Sequence, residues 1–128
     1  MPLLEMKDYH FTYAGAEKEA LAGVNLSVNQ GELILLCGES GCGKSTLLRQ
    51  VKREVMPSGS ASGSIHFLGT AIQELDKMQS ACDIGLVMQN PDSQLVTDVV
   101  WHELAFGLEN LGFPTDVIRR RVAEMASF

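Results

Sequence analysis

Residues 32–50 read ELILLCGESGCGKSTLLRQ, and the fold follows from how that stretch divides. Glu32 to Cys37 is almost continuously apolar, as expected of a strand buried on both faces of a parallel sheet. Gly38-Glu39-Ser40-Gly41-Cys42-Gly43-Lys44-Ser45 then matches GxxxxGK[ST], the pattern of a loop that cradles phosphates. From Thr46 to Val55, the residues Leu47, Leu48, Val51 and Val55 recur at helical spacing, with Arg49, Gln50, Lys52 and Arg53 between them. Strand, glycine loop and helix in that order predict an α/β protein of the phosphate-loop type.

The residue types suit the chemistry. Glycines allow backbone turns that other residues resist and let the chain approach a polyphosphate closely. Successive N–H groups form a concave anion nest, and the helix that follows adds the positive end of its dipole. Lys44 is expected on the β- and γ-phosphates, and the Ser45 hydroxyl on Mg²⁺. Cys42, inside the loop at a helix N-terminus and beside Lys44, is expected to alkylate before Cys37, which the buried-strand reading shields. Alone, the loop leaves kinases, GTPases and transport ATPases open.

The 128 residues, 45% hydrophobic and 20% charged, have ordinary globular composition for about one domain. No apolar run approaches a membrane span, and the N-terminus lacks a signal-peptide layout. The net charge of −6 excludes a generic nucleic-acid surface, so phosphate affinity has to be local. Three cysteines without a CxxC read as reduced thiols of a cytosolic protein, and His10, His66 and His102 lack zinc-ligand spacing.

Upstream, LLEMKDYHFTY (3–13) and LAGVNLSVN (21–29) read as strands, joined across the polar AGAEKEA into an antiparallel hairpin. Downstream, PSGSASG (57–63) reads as flexible loop, SIHFLG (64–69) as a short strand and TAIQELDKMQSAC (70–82) as loop with at most one helical turn. DIGLVMQ (83–89) is a second buried-strand candidate, broken by Asn90-Pro91. Val100, Trp101, Leu104, Leu108 and Leu111 then mark a helix closed by Gly112 and Pro114, with Trp101 expected in its core. Thr115 is expected to cap a further helix with Ile118, Val122 and Met125 on one face and Arg119, Arg120 and Arg121 in solvent. That helix is still running at Phe128, an end that reads as cut.

The phosphate loop GESGCGKST, together with Gln89 after an apolar strand, resembles the nucleotide-binding subunit of ABC transporters. The segment QNPDSQLVTDVVWHELAFGLENLG (89–112) is more specific and resembles the energy-coupling-factor branch, the ATPases that drive vitamin and metal-ion uptake. The resemblance implies an incomplete ABC-type nucleotide-binding domain of the phosphate-loop α/β class, with residues 1–89 as core and 90–128 as the start of the helical subdomain. It implies that Gly38, Glu39, Ser40, Gly41, Cys42, Gly43, Lys44, Ser45 and Thr46 hold ATP. Gln89 becomes the Q-loop glutamine near Mg²⁺ and the attacking water. Tyr13 becomes the aromatic that stacks on adenine, with Tyr9 and Phe11 on the same expected face as alternatives.

The implied partners are a transmembrane subunit, contacted through part of 90–104, and a second nucleotide-binding domain, on the cytoplasmic face of the cell membrane. No LSGGQ-like signature, no apolar run ending in Asp-Glu and no late histidine after such a run occur in the 128 residues. The fragment alone is therefore expected to bind ATP without hydrolysing it, and to leave sheet edges and apolar surface exposed. A nucleotide-binding or docking module without turnover, and a small-molecule kinase, stand as the other readings.

Overall fold

The computed structural model describes residues 1–127, apart from the Ser93 side chain. The expectation about Phe128 lies outside the described residues. The chain divides into two compact units, Met1–Leu86 and Val87 onward.

The first unit is built on β1 (Leu4–Tyr13), which has a partner on each side. It pairs antiparallel with β2 (Leu21–Val28), completing the expected hairpin, and with β3 (Gly59–Phe67). The short β4 (Thr70–Ala71) completes the order β2-β1-β3-β4. Strand β3 begins inside the glycine-serine stretch that reads as flexible loop. Its early residues are held by the ladder to β1, from Tyr13↔Gly59 to His10↔Ser62. Composition understated this strand because backbone groups make the bonds. At Gly59 a Cβ would lie 2.1 Å from the Thr12 carbonyl oxygen, so the close approach requires glycine.

Strand β1 carries a bulge. Against both neighbours the register slips by one residue after Met6–Lys7, and Asp8 takes a left-handed φ of 44° while its N–H bonds Asn25 Oδ1 at 3.0 Å. Across the strand, Gly63 (φ 84°) lies so close that a Cβ would meet the Asp8 carbonyl oxygen. The extra residue lets Met6, Tyr9 and Phe11, each 2% exposed, all face the core with Leu21, Ile65, Phe67, Ile72 and Leu75.

Helix α1 (Lys44–Val51) follows the phosphate loop and ends earlier than its apolar spacing suggests, giving way to a 3₁₀ turn at Arg53–Val55. It buries Thr46, Leu47 and Gln50, while Leu48 is half exposed. The expected loop at 70–82 holds a 3₁₀ turn (Ile72–Glu74) and helix α2 (Lys77–Asp83), whose start is capped by the Asp76 carboxylate accepting from the Met78 N–H. The Lys52 ammonium fastens the end of α2 through the carbonyls of Ser80 (2.7 Å) and Ile84 (2.5 Å), and Arg53 donates to the Leu75 carbonyl. Aperiodic polar sequence concealed this segment because cap and cation contacts hold it in place of an apolar stripe.

Neither apolar segment expected as a buried parallel strand is a strand. Residues 32–37 are irregular, with Leu33 99% and Leu35 85% exposed, and 83–89 has the end of α2 followed by irregular chain with Val87 exposed. A central parallel strand owes its burial to ladders on both edges and helices on both faces. Neither segment is a strand of the sheet, whose order is β2-β1-β3-β4.

The second unit comprises a 3₁₀ turn (Pro91–Gln94) and the helices α3 (Val100–Asn110) and α4 (Thr115–Ala126), packed through Ala105, Ile118 and Val122 with Leu104 and Leu108 alongside. Glu103 reaches back to accept from the N–H groups of Thr97 (2.7 Å) and Val96 (3.0 Å), which holds its carboxyl below the usual range and fixes the entry to α3. Gly112, at φ 78°, ends α3 as expected. Pro114, rather than Thr115, occupies the cap position of α4, and Met125 is exposed. Trp101 is half exposed and stacks edge-on against His102, contrary to the core expectation. A two-helix unit has only one shared face to bury, and α3 centres Ala105 on it. Arg119, Arg120 and Arg121 lie in solvent. No helix among the described residues is long and apolar enough to cross a membrane.

Candidate functional site

The phosphate loop leaves irregular chain at Gly38 and enters α1 at Lys44. A turn closes inside it, with the Cys42 N–H on the Glu39 carbonyl at 3.1 Å. Gly43 has φ 106°, and a Cβ there would press to 3.1 Å from the Ala20 carbonyl oxygen, so the loop seats against the start of β2 only as glycine. Gly43 is also the cap residue of α1, with no side-chain cap and no acidic residue in the first turn. The first helical bond runs from the Leu47 N–H to the Gly43 carbonyl at 2.8 Å. The N–H groups of Lys44, Ser45 and Thr46 therefore precede the helical ladder, the arrangement that receives an anion.

Lys44 folds back over the loop. Its ammonium donates to the carbonyls of Gly38 and Glu39 (2.9 Å to Glu39) and lies 3.6 Å from Cys42 Sγ. Carbonyl groups satisfy this cation, with no ion pair to it among the described residues, so it is available to a stronger anionic acceptor. Ser45 is exposed beside it, and its hydroxyl is a hard oxygen donor of the kind Mg²⁺ takes.

Thr46 faces inward, and its Oγ1 is 2.6 Å from the Tyr13 hydroxyl. This places the end of β1 directly on the first turn of α1. Tyr13 is 38% exposed, with its ring edge-on to Phe11 at 5.1 Å. Tyr9 and Phe11 are sealed in the core and present no ring to a ligand. One turn further along α1, the Tyr9 hydroxyl donates to Gln50 Oε1 at 2.6 Å, and burial pushes the Tyr9 hydroxyl pKa up. Gln50 is 0% exposed, and its Nε2 has no partner among the described residues. Leaving such a group unpaired costs about 1–3 kcal/mol.

The structure thus gathers Tyr13 with Gly38–Thr46. Gln89 belongs to the second unit, where it is exposed beside Met88, whose N–H is held by Gln94 Oε1 at 2.7 Å. Sequence reading missed Gln50, because helical periodicity put it on the polar face. The signal available was its i+4 spacing from Thr46, matched by the four-residue spacing of Tyr9 and Tyr13. The reactivity expected of Cys42 over Cys37 loses half of its reason, since Cys37, Cys42 and Cys82 are all exposed thiols. No cluster of three or more His, Cys, Asp or Glu side chains able to hold a metal ion occurs among the described residues.

The ABC transporter family matches residues 21–127. The chain belongs to that family. A protein of Bacillus anthracis, provisionally named an ABC transporter ATP-binding protein, is 46% identical over 124 residues, which is 97% of this chain and 22% of the relative. A similarly named protein of Methanosarcina acetivorans is 41% identical over 95% of this chain and 19% of its own length. The chain therefore spans about a fifth of the curated relatives it matches. Among solved structures, cbiO1 from Clostridium perfringens, part of the ABC transporter complex cbiONQ, superposes with a TM-score of 0.79 at 34% identity, over 96% of this chain and 48% of that one. An ATP-binding cassette solved as a dimer with ADP and Pi superposes at 0.73 and 24% identity, covering 94% of this chain and 54% of that one, which speaks to the fold alone. The architecture is that of part of an ABC-type nucleotide-binding domain.

Proposed function

We propose that this chain supplies the ATP-binding part of a transporter ATPase of the energy-coupling-factor type, which couples ATP hydrolysis to uptake of a vitamin or metal ion. The observation that carries the nucleotide reading is the phosphate loop itself. Uncapped N–H groups at the start of α1, a lysine whose ammonium donates to backbone carbonyls, and an exposed serine hydroxyl occur together in this loop. In this reading Gly38–Thr46 hold the phosphates, Lys44 neutralises the β- and γ-phosphates, and Tyr13 stacks on the base. Ser45 and Gln89 would supply oxygen ligands to Mg²⁺, and Gln89 would lie near the attacking water. Bound Mg²⁺ would neutralise phosphate charge. The protein's part is to present donors that need no rearrangement. The 128 residues contain no LSGGQ-like stretch and no apolar run ending in Asp-Glu, so the role proposed for them is binding, without turnover on their own.

Calorimetric titration with Mg·ATP tests the reading. Lys44→Ala is expected to abolish detectable binding, and unchanged affinity would sink the assignment.

The branch and the partners rest on segment 89–112 and on the likeness to cbiO1. In the proposed arrangement, residues 1–89 form the core and 90–128 open the helical subdomain. Part of the 90–104 surface meets a transmembrane subunit on the cytoplasmic face of the membrane, and a second nucleotide-binding domain completes the ATP site. No nucleic acid is involved. An Asp92→Cys variant of the assembled protein is expected to cross-link to a membrane subunit. Cross-links to soluble partners alone would refute that placement.

A further inference from the structure

The geometry points to a second, separate duty for Tyr13: through its hydroxyl it is a positioning residue for the phosphate loop, by holding the Thr46 hydroxyl. This rests on the nucleotide-binding reading above but concerns the oxygen atom, not the ring.

Two hydrogen bonds of equal length join β1 to α1. Tyr13 bonds Thr46 and Tyr9 bonds Gln50, each at 2.6 Å, the two helix residues being one turn apart on the buried face. They differ in what lies beside them. Gln50 sits in the second turn, away from the loop. Thr46 is in the first turn, and its own N–H is one of the three that precede the helical ladder. A buried threonine hydroxyl needs a partner, and within a helix its usual recourse is the carbonyl three or four residues back, a bond that bends the helix. For Thr46 those carbonyls belong to Gly43, already engaged by the Leu47 N–H, and to Cys42, inside the phosphate loop. The Tyr13 hydroxyl removes the need for that bond. It holds the Thr46 hydroxyl at 2.6 Å and leaves the loop's shape to its glycines.

The test separates hydroxyl from ring by using a ligand without a base. Mg·tripolyphosphate binding, measured by calorimetry or by competition with Mg·ATP, is expected to weaken about fivefold in Tyr13→Phe, the worth of one hydrogen bond. Mg·ATP should weaken by the same factor, because phenylalanine keeps the stacking face. Thr46→Val should match Tyr13→Phe, and the double variant should lose no more than either alone. Tyr9→Phe, which removes the other bond, is expected to lower stability while leaving Mg·tripolyphosphate affinity unchanged. Unchanged tripolyphosphate affinity in Tyr13→Phe, or an equal loss in Tyr9→Phe, overturns the inference. If Lys44→Ala binds Mg·ATP like the parent protein, the nucleotide reading itself has failed. If Lys44→Ala is dead and Tyr13→Phe is silent, only this inference has.

Discussion

Strand β1, where polar and apolar residues mix, and the apolar segment 32–37 end in opposite environments. Residues of β1 such as Tyr9 and Phe11 are 2% exposed, whereas Leu33 and Leu35 stand almost wholly in solvent. Hydrophobicity does not separate them, since 32–37 is the more apolar of the two. Neighbours do. β1 has β2 on one edge and β3 on the other, and 32–37 has no ladder at all among the described residues. A strand is a property of a pairing, and an apolar run is only a bid for one.

The comparison breaks most visibly by truncation. Phe11→Ala empties a sealed site and is expected to cost about 4 kcal/mol in a denaturant titration. Leu35→Ala removes a side chain that touches little, and should move stability by no more than about 0.5 kcal/mol. A loss at Leu35 approaching that at Phe11 would show that the segment is packed after all.

Thiol chemistry sharpens the same contrast at lower cost. Cys37 closes the segment 32–37 and is exposed, as are Cys42 and Cys82. A small alkylating reagent followed by mass mapping is expected to label all three, with Mg·ATP shielding Cys42 severalfold more than Cys82. A Cys37 that resists labelling without nucleotide would place the segment in a buried strand.

The smallest effect belongs to the well-paired side. His10 on β1 lies between Glu19 (3.2 Å) and Asp8 (3.1 Å), and these hydrogen bonds raise its pKa above the ordinary 6.5. A raised folded-state pKa means the contribution is fully present below about pH 6.5 and is lost as pH rises through the raised value. Comparing the unfolding of the parent with His10→Gln should show a small advantage for the parent under mildly acidic conditions, fading under mildly alkaline ones. An advantage that grows with pH would contradict the assignment. The group is solvent-accessible and salt will screen it.

Much of the site was legible before the fold. The phosphate loop announces itself because its chemistry demands glycines and a lysine at fixed spacing, whatever surrounds them. The N-terminal hairpin was legible because its strands find each other locally. Illegible were the features whose cause is remote in sequence. β3 begins in glycine and serine because β1 offers it a ladder; α2 forms where Lys52 and Arg53 can grip its flanks. Gln50 turns inward because a tyrosine 41 residues earlier meets it. The expected parallel strands failed in the other direction, since their local signal is strong and neither joins the sheet.

The bulge at Asp8 bears on how this chain is compared with others. It acts as a phase shift in the two-residue count, so that Met6 and Tyr9, three apart, share a face. A relative lacking that one residue would keep its pattern up to Met6 and then present every later side chain on the reverse side. Whether an alignment opens its gap upstream of Tyr13 or only beyond it therefore decides which residue is matched to Tyr13, and with it which residue is credited with touching the phosphate-loop helix.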